Sequence, residues 1–307
     1  FVSVGYSFCH LPAMQWLLSG DPIRGTSGSL SGFSIQLSGN GNIIAVGDPA
    51  LGRVRLFDKD GSQWVQRGPG VEGRDEDFFG SMVSMSLGSL DARKNPIKIP
   101  TIKLAVGTTL TSRAVVSVYE CASQDCAQIG DDLVLYEANL RMKAIHVMSG
   151  DGEIIAAGSS PQPDVEGEVS GFDSDYHPLS TFERDASGVW IRHNLGYLLD
   201  DSEYVHALAL SGSGDILAVG TFSSRWSNGI PITTSDRRLV FAWNGTSWNQ
   251  RGSAITIAIP SPAIPFELQG GHVALSNDGN VLALGMYFAP AGANVYEWDD
   301  LGLDWVK

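Results

Sequence analysis

This 307-residue chain has few basic residues and no long hydrophobic run, and each of these features argues against one class of protein. The apolar runs are strand-sized, and none approaches the roughly 18 to 20 uninterrupted apolar residues of a membrane-spanning helix. Only 20 basic residues oppose 34 acidic ones, and the net charge of −14 argues against nucleic acid as the partner. The acidity is compatible with a cation, a basic partner or simple solubility.

Motifs of the common catalytic and metal sites are also missing. The sequence has no H-E-x-x-H, G-x-S-x-G, Walker loop or C-x-x-C. Three of its six histidines, His146, His206 and His272, fall in the same strand of a repeated unit described below, but alternation puts His272 on the opposite side from the other two. We therefore assign no catalytic residue, no metal site and no cofactor.

Cysteine is rare, with three residues in the whole chain. Cys121 and Cys126 bracket a short turn between two strand-like runs, which would place their side chains across from each other, so we predict a disulfide. The alternative is a pair of reduced thiols on an exposed hairpin. Disulfides persist outside the reducing cytosol, so this prediction favours an extracellular or cell-surface location. Cys9 has no obvious mate, and the start at Phe1 without a charged leader is expected of a processed or truncated product.

Glycine is abundant, with 36 residues, and much of it belongs to one recurring pattern. A serine, a polar turn, a short apolar strand and a closing glycine follow one another in SGNGNIIAVG (38–47), SGDGEIIAAG (149–158), SGSGDILAVG (211–220) and SNDGNVLALG (276–285). Gly107 closes a fifth apolar strand. Asn-Gly and Asp-Gly between apolar residues are strong hairpin signals, so each copy predicts two antiparallel strands.

Two further strand-like runs follow each hairpin, so every unit has four strands, here called A to D. Four-stranded antiparallel units repeated around an axis form a β-propeller, and we predict an all-β propeller in one domain, 1–307. Complete blades are predicted at 31–68, 79–130, 143–194, 205–252 and 271–307. Residues 1–20 are predicted to form an N-terminal half-blade with the features of a C–D pair, so we expect six or more blades in the parent protein.

The unit F-G-S-x-x-x-S-x-(N/D)-G-x-x-x-A-V-G, followed by G-x-V-x-x-F/Y and W-x-Q-x-G, resembles the FG-GAP-like repeats of integrin α-chain heads and of many secreted microbial proteins. The clearest copies span 33–68 and 79–130, and the resemblance covers nearly the whole chain. It implies a β-propeller fold. FG-GAP repeats often carry a calcium loop of alternating aspartates. Ca²⁺ is therefore possible for the family, but the turns here are too short and too poor in carboxylates for such a loop.

Strand alternation puts the B–C and D–A connections on one face of the ring, here called the long-loop face. Loops on a rigid scaffold are frequent recognition sites, and the longest B–C insertions are 159–182 and 221–238. They carry aromatic and charged residues of the types that anchor interfaces or stack on sugars. These candidates are Trp226, Arg225, Tyr176 and His177. Trp226 is the strongest single candidate, and the alternative is that it packs its own loop.

Acidic clusters recur in three D–A connections, at 72–77, 131–132 and 200–203. They would gather negative potential that could hold a divalent cation or a basic partner, or they form a solvated rim without a ligand. The candidate binding residues among them are Asp131, Asp132, Asp200 and Asp201. Separately, Asn244-Gly-Thr is an N-glycosylation sequon on a predicted C–D turn, the surface context that glycosylation requires.

The function predicted from these features is an extracellular protein–protein or glycan interaction module that acts through its long-loop face. Such a module could belong to a larger surface assembly. One alternative is a carbohydrate-active propeller enzyme with its acid and base among the carboxylates of that face. Another is a purely structural subunit of an assembly.

Overall fold

The fold is that of a β-propeller in the part of the chain that a computed structural model describes. That part comprises 19–73, 78–86, 101–109, 113–122, 124–137, 142–161, 178–199, 203–227, 230–257, 272–286 and 292–307. It contains five antiparallel sheets and two short 3₁₀ turns, Pro49–Leu51 and Gly196–Leu198. Among these residues, no helix has the length and hydropathy to cross a membrane.

The five sheets, blades 1 to 5, each run A-B-C-D in chain order. Blade 1 consists of β1 (Ser34–Leu37), β2 (Ile43–Asp48), β3 (Arg53–Asp60) and β4 (Gln63–Glu72). Blade 2 consists of β5 (Met82–Met85), β6 (Ile102–Thr109), β7 (Arg113–Ala122) and β8 (Asp125–Gln128), with β9 (Leu133–Glu137) added to β7. Blade 3 consists of β10 (Met142–Met148), β11 (Ile154–Pro161), β12 (Leu179–Arg184) and β13 (Trp190–Asn194).

The last two blades follow the same plan. Blade 4 consists of β14 (Glu203–Leu210), β15 (Ile216–Ser227), β16 (Ile230–Trp243) and β17 (Trp248–Gln250), with β18 (Ile255–Thr256) added to β16. Blade 5 consists of β19 (Val273–Leu275), β20 (Val281–Met286), β21 (Gly292–Asp299) and β22 (Asp304–Val306). The predicted fold class, a propeller of four-stranded antiparallel blades, is confirmed.

The recurring serine and Asn or Asp form a local hydrogen-bond device at the A–B turn. In blade 3, the Ser149 hydroxyl donates to Asp151 Oδ1 at 2.6 Å and accepts the N–H of Ile154 at 3.0 Å. The same bonds recur in blade 1, where Ser38 contacts Asn40 and the N–H of Ile43. The polar side chains thus satisfy the backbone groups that the turn leaves unpaired, which explains why the pattern repeats.

The core lies between neighbouring blades, where the facing sheets of consecutive blades cover each other. Four alanines at the same position of strand B are fully or almost fully buried, each at the interface with the following blade: Ala45, Ala105, Ala156 and Ala218. Large apolar residues of the next blade's strands A and B pack against them, as Val83 and Leu104 do opposite blade 1. Small residues at this position let the sheets approach closely.

The closing glycine of strand B is also explained by close packing between blades. A Cβ built on Gly47 would lie 2.1 Å from the carbonyl oxygen of Gly80, which precedes strand A of the next blade. That contact involves backbone atoms, which cannot turn away as a flexible side chain could. Only glycine fits there without displacing the second blade.

Candidate functional site

A two-stranded ribbon projects from the long-loop face of blade 4. Strand β14 begins at Glu203, opposite Ser223, but β15 and β16 continue to pair beyond that point, through 224–227 and 230–233. Four further residue pairs at roughly 3.4 Å per residue give an extension of about 14 Å. The insertion that the sequence placed in a loop is therefore largely strand.

The ribbon carries Trp226, the strongest single candidate from the sequence, and Arg225. Trp226 pairs with Pro231 and Arg225 with Ile232 in the backbone register of the ribbon. The sequence did not predict this extension, because the run of Ser, Thr and Asn residues with a proline is typical of a loop. Backbone pairing, with one register shift between Ser223 and Ser224, nevertheless places both residues on the extension of blade 4.

A buried ion pair stands at the base of the ribbon. Glu203, which opens β14, is fully buried, and its carboxylate accepts hydrogen bonds from Arg237 Nε at 2.8 Å and from the Thr221 hydroxyl at 2.8 Å. Arg237 Nη2 lies 2.6 Å from the second carboxylate oxygen, so the pair is bidentate. Although the sequence grouped Glu203 with the exposed acidic clusters, the structure uses it to join strands A, B and C at the point where the ribbon leaves the sheet.

A second charged group lies directly beneath the first, around a β-bulge in strand A. The register of β14 with β15 shifts between Val205 and Ala207, and His206 is the extra residue. A Cβ on Gly220 would lie only 2.7 Å from His206 Cε1, so the closing glycine of strand B makes room for the imidazole. Bulges re-aim side chains, and this one turns His206 towards strand C.

His206 faces a carboxylate that is shared with an arginine. His206 Nε2 lies 3.6 Å from Asp236 Oδ1, and Arg238 is hydrogen-bonded to the same carboxylate. Burial lowers the pKa of His206, although Asp236 opposes that shift, so the imidazole is neutral at pH 7. Burial alone would raise the pKa of Asp236, but His206 and Arg238 outweigh it and the pKa is lowered. His206 Nε2 and Arg238 Nε are buried without a hydrogen-bond partner.

Blade 1 has a related charge cluster at the equivalent end of its B and C strands. Asp48 is fully buried and accepts hydrogen bonds from Arg53 Nε at 2.9 Å and Arg55 Nε at 2.6 Å. Burial would raise the pKa of Asp48, yet hydrogen bonds from Arg55, Ser31 and Arg53 lower it overall. Because such ion pairs recur at the roots of B–C connections, they fix the long-loop face of the scaffold.

The remaining candidates lie in different parts of the molecule. Asp132 accepts hydrogen bonds from the Ser117 hydroxyl at 2.6 Å and Gln128 Nε2 at 2.9 Å, while Asp131 is exposed beside it. Asn244 is exposed in the C–D turn of blade 4, where its side-chain oxygen accepts the N–H of Thr246. Four candidates lie outside the described residues: Tyr176, His177, Asp200 and Asp201.

The predicted disulfide is confirmed. Cys121 and Cys126 lie opposite each other on β7 and β8 and are bonded. Within the described ranges, no group of three or more His, Cys, Asp or Glu side chains could hold a metal ion. His146 is buried on β10, with Nδ1 2.8 Å from the Ser84 hydroxyl.

The aspartate and the two arginines at the ribbon base were not predicted from the sequence, although one signal was present. Asp236, Arg237 and Arg238 form a charged run directly before the apolar segment of strand C, where a neutral residue would be expected. A charged run next to a strand predicted to be buried on both faces requires a partner, and Glu203 supplies it.

Comparison with known proteins establishes the fold and nothing narrower. No family model matches the chain, and no curated protein matches it. A structure of a functionally unknown protein from Desulfotomaculum acetoxidans is 10% identical with a TM-score of 0.50, covering 88% of this chain and 67% of that one. An ancestral GH74 enzyme is 12% identical with a TM-score of 0.50 over 90% of this chain, but this chain spans only 32% of its length. These similarities and the five stacked sheets show that the chain has a β-propeller fold.

Proposed function

We propose that this propeller is an extracellular interaction module that binds a protein or glycan partner through its long-loop face, with the ribbon of blade 4 as the recognition element. The observation that carries the proposal is the extension of β15 and β16 beyond the sheet, with Trp226 and Arg225 on it. A blade needs no such extension for its own core. Tryptophan and arginine are the residue types most enriched among the anchors of interfaces.

The rigid base supports the same role. A recognition element held at a fixed angle loses less conformational entropy on binding than a free loop does. Glu203 on β14 contacts Thr221 of β15 and Arg237 of β16, so it ties both ribbon strands to strand A where they leave the blade. Removal of one partner from a buried ion pair is strongly unfavourable, so these contacts hold the base in one arrangement.

The extracellular location belongs to the proposal as well. The disulfide in blade 2 is compatible with an oxidising compartment, and Asn244 is proposed as a glycosylation site because it is exposed in a turn. Membership of the FG-GAP-like family is likewise proposed on the repeat pattern alone. The proposal includes no cofactor. The carbohydrate-active alternative gains no support from Asp132, whose carboxylate is hydrogen-bonded to Ser117 and Gln128.

The test compares binding by three variants on a glycan array and on an array of extracellular protein domains. Trp226→Ala should weaken every specific interaction about tenfold or more, which is typical of an anchor residue. Leu51→Ala is the matched control, because Leu51 lies exposed on the B–C connection of blade 1, on the same face. The third variant replaces 224–233 by a short turn. Full binding by this ribbonless protein would refute the proposal.

A further inference from the structure

The face of blade 5 that points away from blade 4 lacks the cover that its counterparts have. On this face, Ala283 of strand B pairs with Val295 of strand C. The equivalent pairs in blades 1, 2 and 4 are Ala45 with Leu56, Ala105 with Val118, and Ala218 with Val240. Those three larger residues are buried under the following blade, whereas Val295 is 51% exposed. Ala274, beside Ala283 on strand A, is exposed as well. Blade 5 thus presents an interface built like the others but without its next blade.

Blade 1 shows the complementary situation on the side that faces away from blade 2. Ile35 and Leu37 of strand A occupy the positions that Val83 and Met85 hold in blade 2. Val83 is 5% exposed because it packs on blade 1, but Ile35 is 68% exposed. Blade 1 therefore has the apolar residues that would pack on a preceding blade at its inner strand.

A contact that recurs between consecutive blades shows where strand D, the outer strand, of that preceding blade would end. In blade 3, the indole N–H of Trp190 donates to a backbone carbonyl of blade 2, and in blade 5 that of Trp305 donates to one of blade 4. Each acceptor residue follows strand D of its blade and is itself followed by a glycine with positive φ. These acceptors precede Gly130 and Gly252. Trp64 of blade 1 makes the same bond, 3.1 Å long, to the carbonyl of Ser19, directly before Gly20 with φ +81.

Ser19 and Gly20 consequently stand where strand D of a sixth blade ends. A Cβ on Gly20 would meet the C–D turn of blade 1 at the Ser62 carbonyl, just as one on Gly68 would meet the C–D turn of blade 2 at Gln124. The outer, D-strand edge of the sixth position is therefore marked by Ser19 and Gly20. Ile35 and Ala274 belong to strand A, the inner strand of their blades. Their exposure therefore indicates that the uncovered positions are those of strands A and B of the sixth blade.

We propose that the end faces of blades 5 and 1 form a groove that accepts a β-hairpin of the A–B type, contributed by polypeptide outside residues 1–307, as the inner half of a sixth blade. Four existing interfaces define its chemistry. Its strand A carries large apolar residues at alternate positions, as Val83 and Met85 do, to cover Ala283 and Val295. Its strand B carries a central alanine, as β2 does, to accept Ile35.

This occupant also satisfies the physical demands of the site. Exposed apolar faces of sheets are sites of association, and a hairpin buries both end faces at once. Backbone pairing to a sheet edge supplies affinity, while alternate side chains supply specificity. The groove is separate from the long-loop face, so this inference does not depend on the ribbon.

The experiment uses the protein's own blade 1 hairpin, a synthetic peptide with the sequence of 33–48, as the probe. Fluorescence anisotropy should show saturable binding to the 307-residue chain. Val295→Asp in the chain should weaken it about tenfold or more, because a carboxylate would be buried against the hairpin. Val65→Asp is the matched control: Val65 is also 51% exposed on a blade but lies on an outer D strand facing away from the groove. It should leave binding unchanged.

A second arm covers the case in which the free peptide is too poorly ordered to bind. The hairpin is fused after Lys307 through a flexible linker, which raises its effective concentration to about the millimolar range. The fusion should raise the midpoint of thermal unfolding, and a fusion whose hairpin carries Arg at the position of Ala45 should not. Failure of both peptide and fusion, or equal effects of Val295→Asp and Val65→Asp, would overturn the proposal.

Two other occupants would show themselves in the same experiments. If a second copy of the chain filled the groove, light scattering would find a dimer that Val295→Asp dissociates. If residues 1–18 filled the inner positions, their deletion would strengthen peptide binding by removing a competitor. Either result would overturn the proposal, which expects a monomer and no gain on deletion.

Discussion

Titration of His146 should make the fold less stable in mildly acidic solution. The imidazole is buried between blades 2 and 3, where Nδ1 accepts the Ser84 hydroxyl at 2.8 Å and Nε2 donates to the carbonyl of Met82 at 3.3 Å. This pair of bonds assigns the neutral tautomer with its proton on Nε2. Burial lowers the pKa of His146 to about 4, with the Met82 carbonyl opposing the shift.

The size of the effect follows from the difference between the folded and unfolded pKa. The pKa of a histidine in the unfolded chain is near 6.5, so between pH 6.5 and 4 this side chain is protonated in the unfolded state but neutral in the folded state. The contribution of the neutral His146 side chain to the free energy of unfolding is therefore complete above pH 6.5 and is lost as the pH falls towards 4. Two and a half units correspond to about 3.4 kcal/mol in the limit, and to about 2 kcal/mol between pH 7.5 and 5.0.

Urea unfolding at pH 7.5 and 5.0 measures this contribution as a difference between variants. His146→Gln keeps one donor and one acceptor but cannot titrate, so its free energy of unfolding should fall by about 2 kcal/mol less than that of the natural chain over the same interval. An unchanged pH dependence in His146→Gln would refute the reasoning.

Three further substitutions test the packing of the blades by the same urea assay. Asp48→Ala leaves the Arg55 guanidinium buried without its carboxylate, and should cost about 3 to 5 kcal/mol; a loss below about 1 kcal/mol would contradict the buried pair. Gly220→Ala puts a methyl group 2.7 Å from His206 Cε1 and should cost about 1 to 3 kcal/mol, whereas Gly220→Ala with His206→Ala should recover part of the loss. Cys121→Ser should cost about 2 kcal/mol, and a reductant should lower the stability of the natural chain but not of this variant.

The A–B hairpins were predictable from the sequence because their determinants are local. Ser211 donates to Asp215 Oδ1 at 2.8 Å and accepts the N–H of Ile216 at 3.0 Å, all within six residues. A contact that closes within one turn leaves its signature in one short stretch of sequence. The spacing of closing glycines then places strand B in each blade.

The candidate site was less predictable because its determinants are distant in sequence. Alternation along strand A placed His206 on the same side as His146, but the bulge between Val205 and Ala207 adds one residue to the register. The space for the imidazole comes from Gly220, which belongs to another strand. Glu203 likewise meets Arg237 across the sheet, a separation that no local pattern records.

The disulfide shows how one repeat position can be filled by different chemistry. Trp243 and Trp248 face each other across strands C and D of blade 4, with ring centroids 5.7 Å apart, and blade 5 has the equivalent tryptophan pair. In blade 2, Cys121 and Cys126 hold this cross-strand position. Strand D of blade 2 lacks a tryptophan. A covalent bond thus joins strands C and D of blade 2 at the position where a pair of tryptophans joins them in blades 4 and 5.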